Sequence, residues 1–262
     1  MNKAELLTLF TRDQRIEVAF PDMRREVQGN VIRQVSLTNE SGFIVYSNLG
    51  ENNVEQAIGE QIAFFERLGQ SFEWKVYDYD RPADLKERLR KRGLEVGEPE
   101  ALMVLDLDSD PDLLEAAVPE GIRRIQDPAE INLIDEIVAL EEQVWGSDHR
   151  ELCERLKRDL QTDPRQLSVW AAYQDGKIVS AAWIYFQASG SFASLWGGST
   201  LSEYRQRGFY SGLLAARSQE ALRRGFRFLT VDASEMSRTI LQKFGFELLS
   251  FSTPCVWEQN SS

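Results

Sequence analysis

The sequence predicts a mixed α/β fold, α+β in character with a mixed sheet, divided between two domains. Segments rich in β-branched and aromatic residues alternate with amphipathic segments that end at glycine. An acidic stretch with two prolines, 106–121, separates two such series. A strand, helix, glycine and strand pattern that starts at Phe72 is repeated from Phe226. We therefore predict domains at 1–110 and 119–262.

The first domain is predicted to alternate strands with two helices. Asn53 is the predicted N-cap of the first helix, Ile58 and Leu68 lie on its predicted buried face, and Gly69 supplies its left-handed end. The predicted strands are 31–37, 43–47, 72–77 and 101–107, with a turn at 39–42, and the helices are 53–68 and 82–92.

The second domain is predicted to follow the order β-α-α-β-β-β-α-β-α-β. Capping arrangements at 127–130 and 148–151 start its first two helices. Asp175 and Gly176 predict a type I′ hairpin turn. The predicted strands are 122–125, 167–173, 178–186, 192–199, 226–232 and 248–257, and the later helices are 211–224 and 237–244.

The composition is that of a globular chain, with 262 residues, 42% of them hydrophobic and 27% charged. A net charge of -12 argues against binding to nucleic acid or to an anionic membrane. The apolar stretch within residues 1–13 is too short, and its surroundings are too charged, for a signal peptide. Two cysteines without C-x-x-C spacing and a single histidine indicate neither a disulfide scaffold nor a metal site, and we predict a cytoplasmic protein.

A basic loop between a predicted strand and a predicted helix has the features of an anion site. The start of a helix presents unpaired N–H groups and the positive end of the helix dipole. Gly208 allows close approach of a ligand to the backbone, and Arg205 and Arg207 add positive charge. We expect a phosphate group to be the ligand of this loop. Further along, we assign Arg223 and Arg224 to the C-terminus of the helix and Arg217 to a solvated face.

The sequence from Arg205 to Gly208 resembles the R/Q-x-x-G-x-G/A loop of the Gcn5-related N-acetyltransferases (GNAT), and the resemblance covers roughly 121–257. It implies the acyl-CoA N-acyltransferase fold, with acetyl-CoA as the acyl donor. The segment 240–246 is similar to the closing helix of that family. The resemblance implies that Ser199, Thr200 and Leu201 bind the pantetheine arm through backbone groups, and that the pyrophosphate lies on Arg205, Gln206, Arg207, Gly208, Phe209, Tyr210 and Ser211.

Two positions depart from the family pattern. Tyr210 replaces the second small residue of the loop, which narrows the predicted cradle or shifts its contact to Ser211 and Gly212. Leu241 stands where many members carry a tyrosine that protonates the leaving thiolate.

The first domain resembles the C-terminal part of the same fold, but its corresponding loop, 48–53, has an acid and no arginine. We therefore expect two GNAT-like domains in tandem, the first degenerate and without a cofactor loop.

The resemblance implies an acetyl-CoA-dependent N-acetyltransferase that acts by direct attack of a primary amine from a small molecule or peptide. Glu142 is the predicted base, although Glu141 and Glu142 would both also suit a solvated helix end. Ser237 is the predicted proton donor, with Tyr210 as the alternative. A non-catalytic acyl-CoA-binding or regulatory protein is the main alternative. A dinucleotide-binding enzyme is disfavoured because no G-x-G-x-x-G is present, and a homodimer is left open.

Overall fold

The computed structural model describes residues 1–38, 40–109, 111–125, 130–187 and 190–259. The predicted turn residue Asn39 and the first three residues of the predicted cap at 127–130 lie outside the described residues. The chain forms two compact units, one made of Met1–Met103 with Asp232–Ser262 and the other of Val104–Val231.

The helices and strands are numbered in chain order. In that order they are α1 (Lys3–Phe10), β1 (Met23–Gln28), β2 (Val31–Ser36), β3 (Gly42–Ser47), α2 (Val54–Leu68), β4 (Phe72–Tyr77), α3 (Leu85–Lys91), β5 (Glu95–Val96), β6 (Glu100–Asp106), α4 (Pro111–Glu115), β7 (Ile122–Ile125), α5 (Leu133–Trp145), α6 (Arg150–Thr162), β8 (Leu167–Gln174), β9 (Lys177–Phe186), β10 (Phe192–Thr200), α7 (Phe209–Arg223), β11 (Phe228–Ala233), α8 (Glu235–Gln242) and β12 (Glu247–Trp257).

The first unit is built around a sheet that includes the last strand of the chain. Strands β1 to β3 pair antiparallel, and β4 pairs parallel with β3. Strand β12 lies antiparallel to β4, from the pair Ser252 and Tyr77 to the pair Trp257 and Phe72. The Phe72 ring stacks on Phe65 of α2 and on Trp257 of β12, with centroids 4.5 and 5.8 Å apart. Because of this pairing, residues 232–262 belong by contact to the first unit, whereas the predicted division placed them in the domain 119–262.

Helix α2 begins after Asn53 and ends at Gly69 as predicted, but the side chains of Asn53 and Leu68 differ from their predictions. Asn53 is the N-cap, but its side chain caps no helical N–H and instead accepts a hydrogen bond from the Gly50 N–H at 2.8 Å. Ile58 is buried as predicted, whereas Leu68, which lies about 80° from Ile58 around the helix axis, is 44% exposed. Gly69 ends the helix in the left-handed conformation, with φ of 67°.

A buried ion pair fixes the N-terminal segment to the first sheet. A turn of π-helix, Thr11–Ile16, follows α1 and carries Arg15, whose two terminal nitrogens donate to the carboxylate of Asp80 at 2.8 and 2.7 Å. The Nε of Arg15 donates to the Val45 carbonyl at 2.9 Å, and its guanidinium lies 4.2 Å from the Tyr77 ring centroid. Neither α1 nor β1 is predicted from the sequence, because neither segment has strong hydrophobic periodicity.

The second unit has helices on both faces of a mixed sheet. Its strand order is β11, β10, β9, β8 and β7, with β10 parallel to β11 and the other neighbours antiparallel. Ala181 packs in the core beneath α5 and α6, whereas its neighbour Ala182 packs with Leu213 and Ala216 of α7. Consecutive residues of a strand point to opposite faces, so the two helical layers are separated by the sheet.

The element order predicted for 122–257 is confirmed. Asp175 and Gly176 both have positive φ, 51° and 78°, as a type I′ turn requires. The helix predicted from 211 starts at Phe209, and the predicted boundary stretch contains the short helix α4. In the described part of the chain, no helix combines the length and apolarity needed to cross a bilayer.

Replacing Asp80 with Asn should destabilise the protein strongly, because the Arg15 charge would keep its buried position and lose its charged partner. We expect the free energy of unfolding to fall by about 3–5 kcal/mol in urea denaturation. The matched control is Asp78→Asn, since Asp78 pairs with Lys86 at the surface. That change should cost less than about 1 kcal/mol, and equal losses in the two variants would refute the assignment.

Candidate functional site

Two consecutive glycines put a bulge into β10. The pairing of β10 with β9 shifts between Gly197 and Ser199, so that Gly198 is the extra residue. Gly197 and Gly198 have φ of 67° and 99°, which glycine adopts without the strain that a Cβ causes. A bulge bends its strand and increases the local twist.

Aromatic rings lie close to both glycines. A Cβ on Gly197 would lie 2.4 Å from the Trp183 ring, and one on Gly198 would lie 3.1 Å from the Tyr210 ring. The Tyr210 side chain is therefore directed against the strand, where Gly198 makes room for it. Burial raises the pKa of Tyr210, and the charge of Arg217 opposes that rise.

Beyond the first part of β10, the parallel pairing with β11 stops. The register runs from Phe192 with Phe228 to Ser194 with Thr230, while β10 continues to Thr200. On the other edge, β9 stays close: the Leu201 N–H donates to the Val179 carbonyl at 3.0 Å. The backbone edge of β10 after Ser194 is therefore not paired with β11, in the region where backbone contacts with pantetheine are predicted.

The turn that follows β10 brings the predicted pyrophosphate residues together. Gln206 and Gly208 have positive φ, 62° and 83°, on either side of Arg207, and α7 starts at the next residue. When left-handed and right-handed backbone conformations alternate in this way, successive N–H groups point to the same side of the chain. In addition, the first N–H groups of a helix have no hydrogen-bond partner within the helix. A Cβ on Gly208 would meet only the Ser211 hydroxyl, at 3.9 Å, so the approach to the turn is open.

The two arginines of the turn are exposed and held at their bases. The Nε of Arg205 donates to the Thr200 carbonyl at 3.2 Å. The Arg207 guanidinium lies 5.1 Å from the Tyr204 ring centroid. These contacts leave the remaining nitrogens of both side chains directed to solvent, where they can meet an anion.

The prediction for Arg217 is wrong. Its side chain is only 2% exposed, and it donates hydrogen bonds to the carbonyls of Leu213, Trp183 and Trp196. Burial lowers the pKa of Arg217 to about 10, and the nearby Tyr210 opposes this fall. The sequence pattern does not distinguish a buried arginine, whose N–H groups are hydrogen-bonded to carbonyls, from an arginine exposed to solvent. Arg224 ion-pairs with Glu220 at 2.6 Å near the end of α7.

Helix α5 places two adjacent glutamates in different surroundings. Glu142 is half-buried, and its Oε1 accepts a hydrogen bond from the backbone N–H of His149 at 3.1 Å. Glu141 is 3% exposed, and its Oε2 accepts hydrogen bonds from the Ser199 hydroxyl at 2.7 Å and the Trp145 indole at 3.1 Å. Burial raises the pKa of Glu141, and these two hydrogen bonds oppose the rise.

The sequence contained a signal for Glu141 that we did not use. Glu141 follows Ile134 by seven residues and Val138 by three, so it falls on the apolar stripe of α5. A carboxylate on the buried face of a helix is costly unless it is partnered, and it therefore singles out a candidate site.

The predicted proton donor, Ser237, lies in α8 of the first unit, whereas Glu142 lies in the second unit. Ser237 takes part in the N-cap of α8: its N–H donates to the Ser234 hydroxyl at 3.4 Å, and its own hydroxyl accepts from that of Ser234 at 3.2 Å. Leu241 is buried in the same helix. The roles of Glu142 and Ser237 stay predictions.

Part of the chain matches a known family, and the fold is similar to that of several solved structures. Residues 134–246 match the model of the acetyltransferase (GNAT) family. A GCN5-related N-acetyltransferase from Kribbella flavida has a similar structure, with a TM-score of 0.67 and 15% identity, over 99% of this chain and 95% of that one.

Two further structures resemble the whole chain. One is a functionally unknown conserved protein from Staphylococcus epidermidis, with a TM-score of 0.66 and 13% identity over 93% of this chain and 98% of that one. The other is a tandem GNAT protein from the clavulanic acid biosynthesis pathway, with a TM-score of 0.62 and 15% identity over 94% and 86%. At these identities the likeness concerns the fold, and it confirms the predicted acyl-CoA N-acyltransferase fold in tandem form. No curated protein matches the sequence.

Replacing Gly197 with Ala should destabilise the protein more than the same change at Gly176. Both glycines have positive φ, which costs an alanine about 1–2 kcal/mol. A Cβ at Gly176 meets nothing within 4 Å, whereas one at Gly197 overlaps the Trp183 ring. We expect a further loss of about 1–3 kcal/mol at Gly197, measured by urea denaturation. Equal losses at the two positions would show that β10 has no close packing at its bulge.

Proposed function

We propose that this protein transfers an acetyl group from acetyl-CoA to the primary amine of a small molecule or peptide, because residues 134–246 match the model of the acetyltransferase (GNAT) family. The observation that carries the proposal is the turn between β10 and α7. It combines two left-handed residues, an open helix start and two exposed arginines in a chain whose net charge is -12. A local basic site in an acidic protein favours a specific anionic ligand over general binding of polyanions.

The bulge supports the placement of the thioester. We propose that the edge of β10 released from β11 binds the pantetheine arm through Ser199, Thr200 and Leu201, and that its N–H groups polarise the thioester carbonyl. The pyrophosphate would lie on the N–H groups from Gln206 to Ser211, with Arg205 and Arg207 beside it. Tyr210 then contributes its backbone N–H, because its ring packs on Gly198.

Direct attack by the amine agrees with the state of the two cysteines. Cys153 and Cys255 are free thiols. Burial raises the pKa of Cys153, and it raises the pKa of Cys255 to about 12. A thiol that stays protonated is a weak nucleophile, so neither cysteine is suited to form an acyl-enzyme. The free thiols also agree with the cytoplasmic location that we propose.

Arg205→Ala combined with Gly208→Val should weaken the binding of acetyl-CoA by about a hundredfold or more, because a charged donor is lost and a side chain enters the path of the pyrophosphate. Isothermal titration calorimetry with acetyl-CoA measures the change. Arg223→Ala is the matched control, since Arg223 is an exposed arginine in the last turn of the same helix. Unchanged affinity in the double variant would overturn the assignment of the turn.

A second candidate function is a non-catalytic acyl-CoA-binding or regulatory protein. It is favoured by Leu241, which is buried where many family members have a catalytic tyrosine. Release of free thiol from acetyl-CoA, followed with a panel of spermidine, tyramine and alanyl-alanine, separates the two functions. We expect release that depends on one of these amines. Tight binding of acetyl-CoA with no release above the background would favour the second candidate.

A further inference from the structure

Glu141 is a buried carboxylate with one oxygen unaccounted for. Its Oε1 is buried and has no hydrogen-bond partner in the described chain. Its Oε2 accepts from Ser199 and Trp145, and neither of these carries a charge. A carboxylate in this position loses its hydration and has no positively charged hydrogen-bond partner among the described residues. This arrangement is energetically costly, and in folded proteins it indicates a candidate functional site.

The surroundings of Glu141 contain few charges. Its neighbours on the buried face of α5 are the apolar residues Ile134, Ile137 and Val138. From the facing strand β10 it meets the hydroxyl of Ser199. Among the titratable groups of the described chain, His149, in the loop after α5, acts to lower the pKa of Glu141. Desolvation outweighs this effect, and the carboxylate therefore has a higher affinity for a proton than an exposed one.

Ser199 connects Glu141 to the part of β10 that the proposed function uses. It directly follows the bulge, where β10 has parted from β11. Its hydroxyl donates to Glu141 and accepts from the Trp145 indole N–H at 2.9 Å. Trp145 is 57% exposed, so the three side chains run from the solvent to the buried carboxylate. A hydroxyl that donates to a carboxylate can pass on a proton by giving up its own.

We propose that Glu141 is the proton acceptor for the substrate amine and that it acts through the hydroxyl of Ser199. This inference rests on the proposed acetyltransferase function. The ammonium group gives one proton to the Ser199 oxygen, while Ser199 gives its own proton to Oε2 of Glu141. The free nitrogen lone pair then forms the bond to the acetyl carbon.

The rest of the reaction balances without another group. When the tetrahedral intermediate collapses, the carbon–sulfur bond breaks and sulfur leaves with the electron pair. The second nitrogen proton goes to that sulfur and gives the free thiol. Glu141 returns its proton to water through Ser199. The sum is an ammonium ion and acetyl-CoA giving an amide, coenzyme A and one proton.

Glu142, the base predicted from the sequence, is in a different position. Its Oε1 is occupied by the His149 N–H, and it faces the loop 146–149 instead of β10. The hypothesis that Glu141 is the base and the hypothesis that Glu142 is the base therefore predict different results. Four variants distinguish the two hypotheses: Glu141→Gln, Glu142→Gln, Ser199→Ala and Ser199→Thr.

The experiment measures acetyl-CoA affinity by calorimetry and the pH profile of kcat with the fastest amine of the panel. Glu141→Gln should bind acetyl-CoA with unchanged affinity and lose about 10²–10⁴-fold in kcat. The wild-type rate should rise with pH as the Glu141 carboxyl ionises, and because its pKa is raised, this rise should come above the usual range for glutamate of about 4.3. The rise should be absent in Glu141→Gln.

The other variants test the same inference without depending on Glu141→Gln alone. Ser199→Ala should lose kcat to a similar degree, and Ser199→Thr, which keeps a hydroxyl, should recover part of it. Glu136→Gln, an exposed change on the same helix, is the matched control and should leave the rate unchanged. Full activity and an unchanged pH profile in Glu141→Gln, or loss only in Glu142→Gln, would overturn the inference.

Failure of the proposed function gives a different result. In that case the wild type releases no thiol with any amine, and the inference falls with it. Infrared difference spectra between the wild type and Glu141→Gln add a readout that does not depend on turnover. They should show a protonated carboxyl that persists above the usual titration range of glutamate, and its absence would also count against the inference.

Discussion

The close approach of two aromatic rings to two adjacent glycines is the constraint on which the site depends. Trp183 occupies the space beside Gly197, and Tyr210 occupies the space beside Gly198. With both rings in place, β10 bulges, its parallel pairing with β11 ends, and its last residues lead into the turn before α7. The bulge thus lies between the end of the pairing with β11 and Ser199, whose hydroxyl donates to Glu141.

Buried charges of opposite sign meet this segment from the two helical layers. Arg217 of α7 donates to the carbonyl of Trp196, and Glu141 of α5 accepts from the hydroxyl of Ser199. Within the described chain, neither group has an oppositely charged side chain as its direct partner. Fixed charges in a poorly hydrated setting act more strongly on a reacting group than the same charges in water.

The sequence predicted the parts of this protein that depend on local patterns. Gly69 ended α2 as expected, and Asp175 with Gly176 formed the hairpin turn, because these features depend on backbone conformation alone. The loop at Arg205 was recognisable because its residue types and its place between strand and helix suffice. The burial of Arg217 and Glu141 could not be read in the same way, since it depends on side chains far apart in sequence, such as Trp183 and Ser199. The pairing of β12 with β4 is also non-local, so local patterns do not show which strand lies beside the C-terminal residues.

The membership of β12 in the first unit has a consequence for synthesis on the ribosome. Chains emerge N-terminus first, and domains fold as units while they emerge. Strand β4 is translated before the whole stretch 104–231, and its antiparallel partner β12 is translated after it. One edge of β4 therefore keeps its N–H and C=O groups unpaired by β12 while the second unit is made. The unit that begins later in the chain is the first to have all of its strands available.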